Sequence, residues 1–157
     1  LSPGRPEYQI MGIANPAQGQ MIAETMRELG RGRALVVHGA GTDEIAVHRE
    51  TQIWELDREG QITHYTVTPE ELGVTRHSLE DLRGGDGEEN AAMLRATFAG
   101  EGPAAHRDAV ALSAGAMFYL YGVSDTIAEG AAHASALLTD GTVQRWLATH
   151  EEADYSA

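Results

Sequence analysis

The chain contains no cysteine, which excludes disulfide scaffolds, Cys-ligated zinc, iron–sulfur clusters and thiol catalysis, and fits a reducing compartment. It contains no lysine either. All 11 basic residues are Arg, set against 24 acidic ones, for a formal net charge of -13 and a pI near 4.8. Affinity for a phosphate backbone comes from clustered Lys and Arg, so this balance argues against a nucleic-acid partner. An acid-rich, Arg-only composition suits a salt-accumulating (halophilic) cell, where repulsion is screened within about 3 Å at 1 M salt. A GC-rich genome that writes Arg for Lys accounts for it equally well. No apolar run approaches the ~20 residues of a membrane span, and no charged-then-apolar leader is visible. The expectation is a cytoplasmic protein with no membrane partner.

What is present is a chain of 157 residues, 42% of them hydrophobic. A chain of this length buries roughly 70% of its unfolded surface, enough for a core without staples. No internal repeat, low-complexity stretch or linker divides it, so residues 1–157 read as a single unit. The first residue is Leu1 rather than Met, followed by Ser2 and Pro3, as expected of a processed chain or one that begins inside a longer protein.

Tyr8 to Ala14 is a short apolar run read as a buried strand. Asn15 and Pro16 supply a helix start, and Met21, Ile22, Thr25, Met26 and Leu29 fall on one helical face before Gly30. Ala34 to Val37 is short and continuously apolar, as a central strand of a parallel sheet would be. Strand, helix and strand make a βαβ unit. Glu50 to Leu56 and Gln61 to Val67 are β-rich runs split by Asp57-Arg58-Glu59-Gly60, a hairpin pattern.

The second half reads as helical. Thr68…Glu71 and Ser78…Asp81 have capping-box spacing, and each is expected to open one short helical turn. Asp86 and Glu89 repeat the spacing ahead of a helix whose apolar face is Ala91, Leu94 and Phe98, ending at Gly100. Asp108 to Tyr121 is rich in small residues, which predicts a closely packed, mostly buried helix closed by Gly122. Ile127 to Leu138 and Thr142 to His150 are two more, the last burying Val143, Trp146 and Leu147. The tail Glu151 to Ala157 is polar and expected to fray.

Chemistry concentrates after the second strand, in His38-Gly39-Ala40-Gly41-Thr42-Asp43-Glu44. In open α/β sheets, ligands sit at the carboxyl ends of parallel strands. Asp43 and Glu44 are candidate oxygen ligands for Mg²⁺, which takes one or two carboxylates and leaves other positions to water and substrate phosphate. On spacing alone, a solvated acidic pair is the plainer reading. A Rossmann fingerprint fails, because its third glycine falls at Glu44. His38 stands where a general acid or phosphate-facing donor could sit, or a hydrogen-bonded structural residue. The other six histidines lack metal-site spacing, and Ser113 lacks a G-x-S-x-G elbow. Arg83-Gly84-Gly85-Asp86 has the look of a phosphate loop, but an acidic cap satisfies the helix N–H groups and repels phosphate.

Arg83-Gly84-Gly85-Asp86-Gly87-Glu88-Glu89-Asn90-Ala91-Ala92, together with Ala34-Leu35-Val36-Val37-His38-Gly39 and Thr42-Asp43-Glu44-Ile45, resembles the C-terminal half of the anthranilate phosphoribosyltransferase family. Tyr8 to Ile13 and Thr68 to Gly73 fall in the family's order as well. Leu1-Ser2-Pro3 departs from it, standing where the family usually reads Thr-Asn-Pro. The resemblance implies an α/β fold: a partial parallel sheet with a hairpin and flanking helices, the C-terminal portion of a phosphoribosyltransferase-type α/β domain.

It also implies transfer of a phosphoribosyl group from phosphoribosyl pyrophosphate to anthranilate, with release of pyrophosphate, in tryptophan biosynthesis. Asp43 and Glu44 match the family's Mg²⁺-binding pair. The family's Gly-rich phosphate loop, anthranilate-binding residues and dimer-forming helical domain precede the position of Leu1. The isolated chain is therefore expected to be inactive, with the upstream half as its partner and a homodimer when complete. Two alternatives remain open at this point: a nucleoside phosphorylase relative, and a non-catalytic interaction module.

Overall fold

The computed structural model describes residues 4–151. The expectations for Leu1-Ser2-Pro3 and for the tail beyond Glu151 lie outside the described residues. β1 (Tyr8–Gly12) and β2 (Arg33–His38) run parallel, with Ile10 beside Leu35, and are joined by a 3₁₀ turn at Pro16–Gln18 and α1 (Gly19–Glu28). Asn15 caps that turn through its side chain, with Pro16 in the first position, as the sequence predicts. β3 (Thr51–Leu56) pairs antiparallel to β2, and β4 (Ile62–Val67) antiparallel to β3. The sheet order is β1-β2-β3-β4. It is a mixed sheet whose parallel part is the predicted βαβ unit and whose antiparallel part is the predicted hairpin.

β2 is covered on both faces, which is why its sequence is apolar without alternation. Successive side chains point to opposite sides. Ala34 and Val36 join Ala23, Met26, Trp54 and Leu56 in a core under α1. Leu35 and Val37 join Ile53, Leu112, Ala116, Leu120 and Ile127 in a core under α3 (Ala104–Tyr121) and α4 (Ile127–Thr139). These two helices cross at glycine. A Cβ on Gly115 would run into the backbone of Gly130 and Ala131, and one on Gly130 into the carbonyl of Gly115. The small-residue composition of α3 is thus a requirement of its contact with α4.

α2 (Gly87–Phe98) begins where the Asp86/Glu89 spacing predicts, with both halves of the capping box formed. Its apolar face is a correction. Leu94 is 49% exposed and Ala91 is exposed, whereas Thr97 is buried, its hydroxyl bonded to Met93 O at 2.9 Å. The turn after α2 folds back, with Gly102 packed on Thr97, so the helix docks along that edge. A second correction falls on α5 (Thr142–Glu151). Val143 and Leu147 are half-buried, but Trp146 is 60% exposed and stacks on His150 with ring centroids 4.1 Å apart. α3 also starts at Ala104 rather than Asp108, with Arg107 N–H donating to the Pro103 carbonyl. Ser78…Asp81 opens a 3₁₀ turn at Leu79–Leu82. Thr68…Glu71 forms its box but closes only a turn.

A polar network fastens α3 to the sheet. Arg33 Nη1 donates to the carbonyls of Tyr119 (2.9 Å) and Leu120 (3.1 Å), capping the last turn of α3, while Nη2 meets Glu55 Oε1 at 3.3 Å. The hydroxyls of Tyr119 and Tyr65 donate to the two oxygens of Glu55 at 2.6 and 2.8 Å. Burial, then the Glu55 charge and hydrogen bond, push the Tyr65 phenol far above its ordinary range. Burial and the bond to Glu55 push Tyr119 up to about 12.

Two outcomes follow from this packing. Gly115→Val overpacks the helix crossing and is expected to lower stability by about 3 kcal/mol in urea denaturation. Gly87→Ala, at a position with open space around it, stays within about 0.5 kcal/mol. Because the phenol pKa values are raised on folding, the network's contribution is complete below the unfolded value of 10.0 and is lost as pH rises through about 12. An absorbance titration at alkaline pH should therefore show Tyr65 and Tyr119 ionising only together with unfolding. Simultaneous ionisation of every tyrosine in the folded protein would contradict this.

Candidate functional site

β2 ends at His38 and the chain turns at once. Gly39 and Thr42 exchange backbone hydrogen bonds of 2.9 and 3.2 Å around Ala40 and Gly41. Both central residues have positive φ, 47° and 103°, the pattern of a type I′ turn. Thr42 Oγ1 also donates to Gly39 O at 2.9 Å. The Gly-rich loop is thus a closed two-residue turn, and no open phosphate cradle forms.

Asp43 and Glu44 follow the turn and are exposed, while the next three residues, Ile45, Ala46 and Val47, are buried. The acidic pair is therefore held on both sides, by the turn before it and by the core after it. Ala46 N–H donates to Thr51 Oγ1 at 2.8 Å and His77 N–H to the Val47 carbonyl at 2.9 Å, which fixes the descent. Two glycines permit the pair's backbone to lie where it does. A Cβ on Gly12, the last residue of β1, would run into the Asp43 carbonyl, and one on Gly39 into the carbonyl of Glu44. Gly12 was not singled out by spacing; its signal is a glycine inside an otherwise apolar strand, which marks a close backbone approach.

Two clefts meet at the pair. One, of about 350 Å³, lies between the strand ends and α3 and is lined by Asp43, Glu44, Ile10, Gly12, Ser113 and Met117 among others. A larger one, of about 570 Å³, starts at Glu44 and runs over Ile45 to His48 toward Leu94 and Phe98. Ser113 lines both, and sequence spacing gives it no role. Neither carboxylate makes a hydrogen bond or ion pair to another described residue, and among the described residues no cluster of three or more His, Asp or Glu forms a metal cage. Two carboxylates are the donor set that Mg²⁺ commonly takes, its other positions going to water and phosphate, and are too few for a closed Zn²⁺ or Ca²⁺ site.

His38 is buried, at 7% exposure. Its Nδ1 lies 2.8 Å from the Ile13 carbonyl, and the Gly41 N–H donates to its Nε2 at 3.3 Å. Both nitrogens are occupied by backbone, so His38 is no free acid or phosphate donor. The Arg83-Gly84-Gly85-Asp86 segment is likewise closed. Asp86 Oδ1 accepts from Glu88 N–H and Glu89 N–H, and the Asn90 amide bonds both N–H and C=O of Gly85. Among the other histidines, His77 bonds Asp108 at 2.7 Å, His64 stacks on Trp54 and His133 lies tilted against Phe118.

This fold has close counterparts. Along its full 157 residues the chain is 66% identical to an anthranilate phosphoribosyltransferase of Corynebacterium aurimucosum, covering 45% of that protein. It is 67% identical over 156 residues to the one from Corynebacterium glutamicum, again covering 45%. The chain thus spans less than half the length of these curated relatives. The crystal structure of an anthranilate phosphoribosyltransferase from Thermus thermophilus matches 88% of the chain, and 40% of its own, with a TM-score of 0.80 at 40% identity. The Saccharomyces cerevisiae enzyme in complex with phosphoribosyl pyrophosphate and Mg shares the fold over 90% of the chain and 41% of its own, with a TM-score of 0.77 at 20% identity. Residues 1–144 match the model of the glycosyl transferase family, a/b domain, and the chain belongs to that family.

Proposed function

We propose that this chain is the C-terminal portion of an anthranilate phosphoribosyltransferase. In that reaction the bond from the anomeric carbon of phosphoribosyl pyrophosphate to pyrophosphate breaks, and a bond to the anthranilate nitrogen forms. The observation that carries the reading is the pair Asp43 and Glu44, exposed and unpartnered among the described residues, at the carboxyl end of a parallel strand beside a cleft. It stands in a chain 66% identical to such an enzyme.

Asp43 and Glu44 would hold Mg²⁺ against the pyrophosphate. Bound there, Mg²⁺ supplies Lewis-acid stabilisation of the negative charge that grows on the leaving group. The protein's contribution is placement: the turn, the two glycines and the buried Ile45-Ala46-Val47 segment fix the backbone that carries the two carboxylates. The Gly-rich phosphate loop and the anthranilate-binding residues would come from an upstream portion, which would complete the site and form the homodimer. A biosynthetic enzyme of this kind would work in the cytoplasm, and among the described residues no helix is long and apolar enough to cross a membrane.

Anthranilate fluorescence tests the reading. With phosphoribosyl pyrophosphate and Mg²⁺ present, fluorescence is expected to fall only when the chain is mixed with a polypeptide carrying the upstream portion of the C. glutamicum enzyme. Loss with the chain alone would place the whole activity in these residues. No loss in either, with phosphate-dependent release of base from a nucleoside instead, would overturn the proposal in favour of a phosphorylase.

A further inference from the structure

The buried imidazole of His38 bonds both the residue that follows β1 and the turn that delivers the acidic pair. A carbonyl only accepts, so Nδ1 carries the proton toward Ile13 O at 2.8 Å; a backbone N–H only donates, so Nε2 is bare toward Gly41 at 3.3 Å. The neutral Nδ1–H ring is the form these partners require. Ile13 itself is tied to β2 by its N–H bond to the Val37 carbonyl at 2.9 Å. One residue before Ile13 stands Gly12, on which the Asp43 backbone rests, and two residues after Gly41 comes Asp43 itself. His38 therefore braces the pair's seat from both sides.

The turn needs such a brace. Ala40 sits at a φ of 47°, in the left-handed region that a residue with a Cβ occupies only when its surroundings impose it. The Gly39–Thr42 bonds close the turn on itself, but the bond to His38 Nε2 is what ties its tip to the strand end. We propose that His38 is a positioning residue for the Asp43–Glu44 pair, acting through the turn on the metal affinity of the site without touching metal or substrate. This rests on the metal reading given above, and it assigns His38 a task distinct from acid catalysis.

Two substitutions separate its two bonds. In His38→Asn the amide nitrogen falls near the place of Nδ1, keeping the Ile13 bond and losing the turn. In His38→Gln the amide oxygen falls near the place of Nε2, keeping the turn and losing Ile13. Amide hydrogen exchange on the full chain should show faster exchange at Gly41 and Thr42, the hydrogen-bonded amides of the turn, in His38→Asn, and near-native exchange there in His38→Gln. Mn²⁺ binding in the presence of pyrophosphate, read by electron paramagnetic resonance, should weaken about tenfold or more in His38→Asn and be largely retained in His38→Gln.

Native exchange and native Mn²⁺ affinity in a folded His38→Asn protein would overturn the proposal. Should that variant fail to fold, long-range ¹⁵N–¹H spectra of the unmodified chain decide it: a ring protonated at Nε2 overturns it, and a neutral Nδ1–H ring whose Gly41 amide shifts with Mg²⁺ and pyrophosphate supports it. Absence of Mn²⁺ binding in the unmodified chain would count against the metal reading. In that case the exchange pattern alone upholds or overturns the role of His38 in placing the pair.

Discussion

At Gly12 the backbone of Asp43 lies where any other residue would carry its Cβ, and at Gly39 the carbonyl of Glu44 does the same. These two close approaches let the chain leave β2, reverse within two residues and cross the end of β1. Without them the segment after the turn would be pushed away from the strand ends, and the carboxylates would lose the cleft they face. The rest of the molecule serves to make that approach rigid. The β1–β2 pairing sets where Gly12 ends, His38 ties the strand ends to the turn, and Ile45, Ala46 and Val47 are buried directly behind the pair.

Rigidity of the strand ends depends in turn on the layers above and below them. The core under α1 and the core under α3 and α4 meet at β2, whose four residues Ala34 to Val37 are almost wholly withdrawn from water. α3 is fixed to this strand at its far end by the Arg33–Glu55 network and to α4 by the glycine crossing. Its middle, Ser113 and Met117, forms the wall opposite the acidic pair. The charged network lies near the start of β2 and the acidic pair beyond its end. The charged groups that hold the fold and those that face the cleft therefore belong to opposite ends of one strand.

Much of this was readable from the residues, because local rules governed it. The apolar run of β2, the hairpin between Leu56 and Ile62, the Asn15-Pro16 start and the Asp86/Glu89 capping box follow from covered faces, turn residues and unpaired helix amides. The exposed acidic pair at a strand end was readable too. Sequence reasoning failed where tertiary contact chose among faces. The stripe Ala91, Leu94 and Phe98 has helical spacing, yet the turn through Gly102 docks the helix along Thr97 and leaves Leu94 half-exposed. Trp146 is apolar enough to be expected inside but lies on an outer helix stacked on His150. The importance of Gly12 depends on a contact with a residue 31 positions away, which no local pattern reports.

On the function proposed above, this seat presents Asp43 and Glu44 as a two-carboxylate site for Mg²⁺ on a pyrophosphate. Calorimetric titration of the chain with Mg²⁺ and pyrophosphate, beside a folded Asp43→Asn/Glu44→Gln variant, tests it most directly. The account predicts saturable uptake of the Mg²⁺–pyrophosphate pair by the unmodified chain and its loss in the variant, with circular dichroism and denaturation unchanged. Identical binding curves for the two proteins would contradict it.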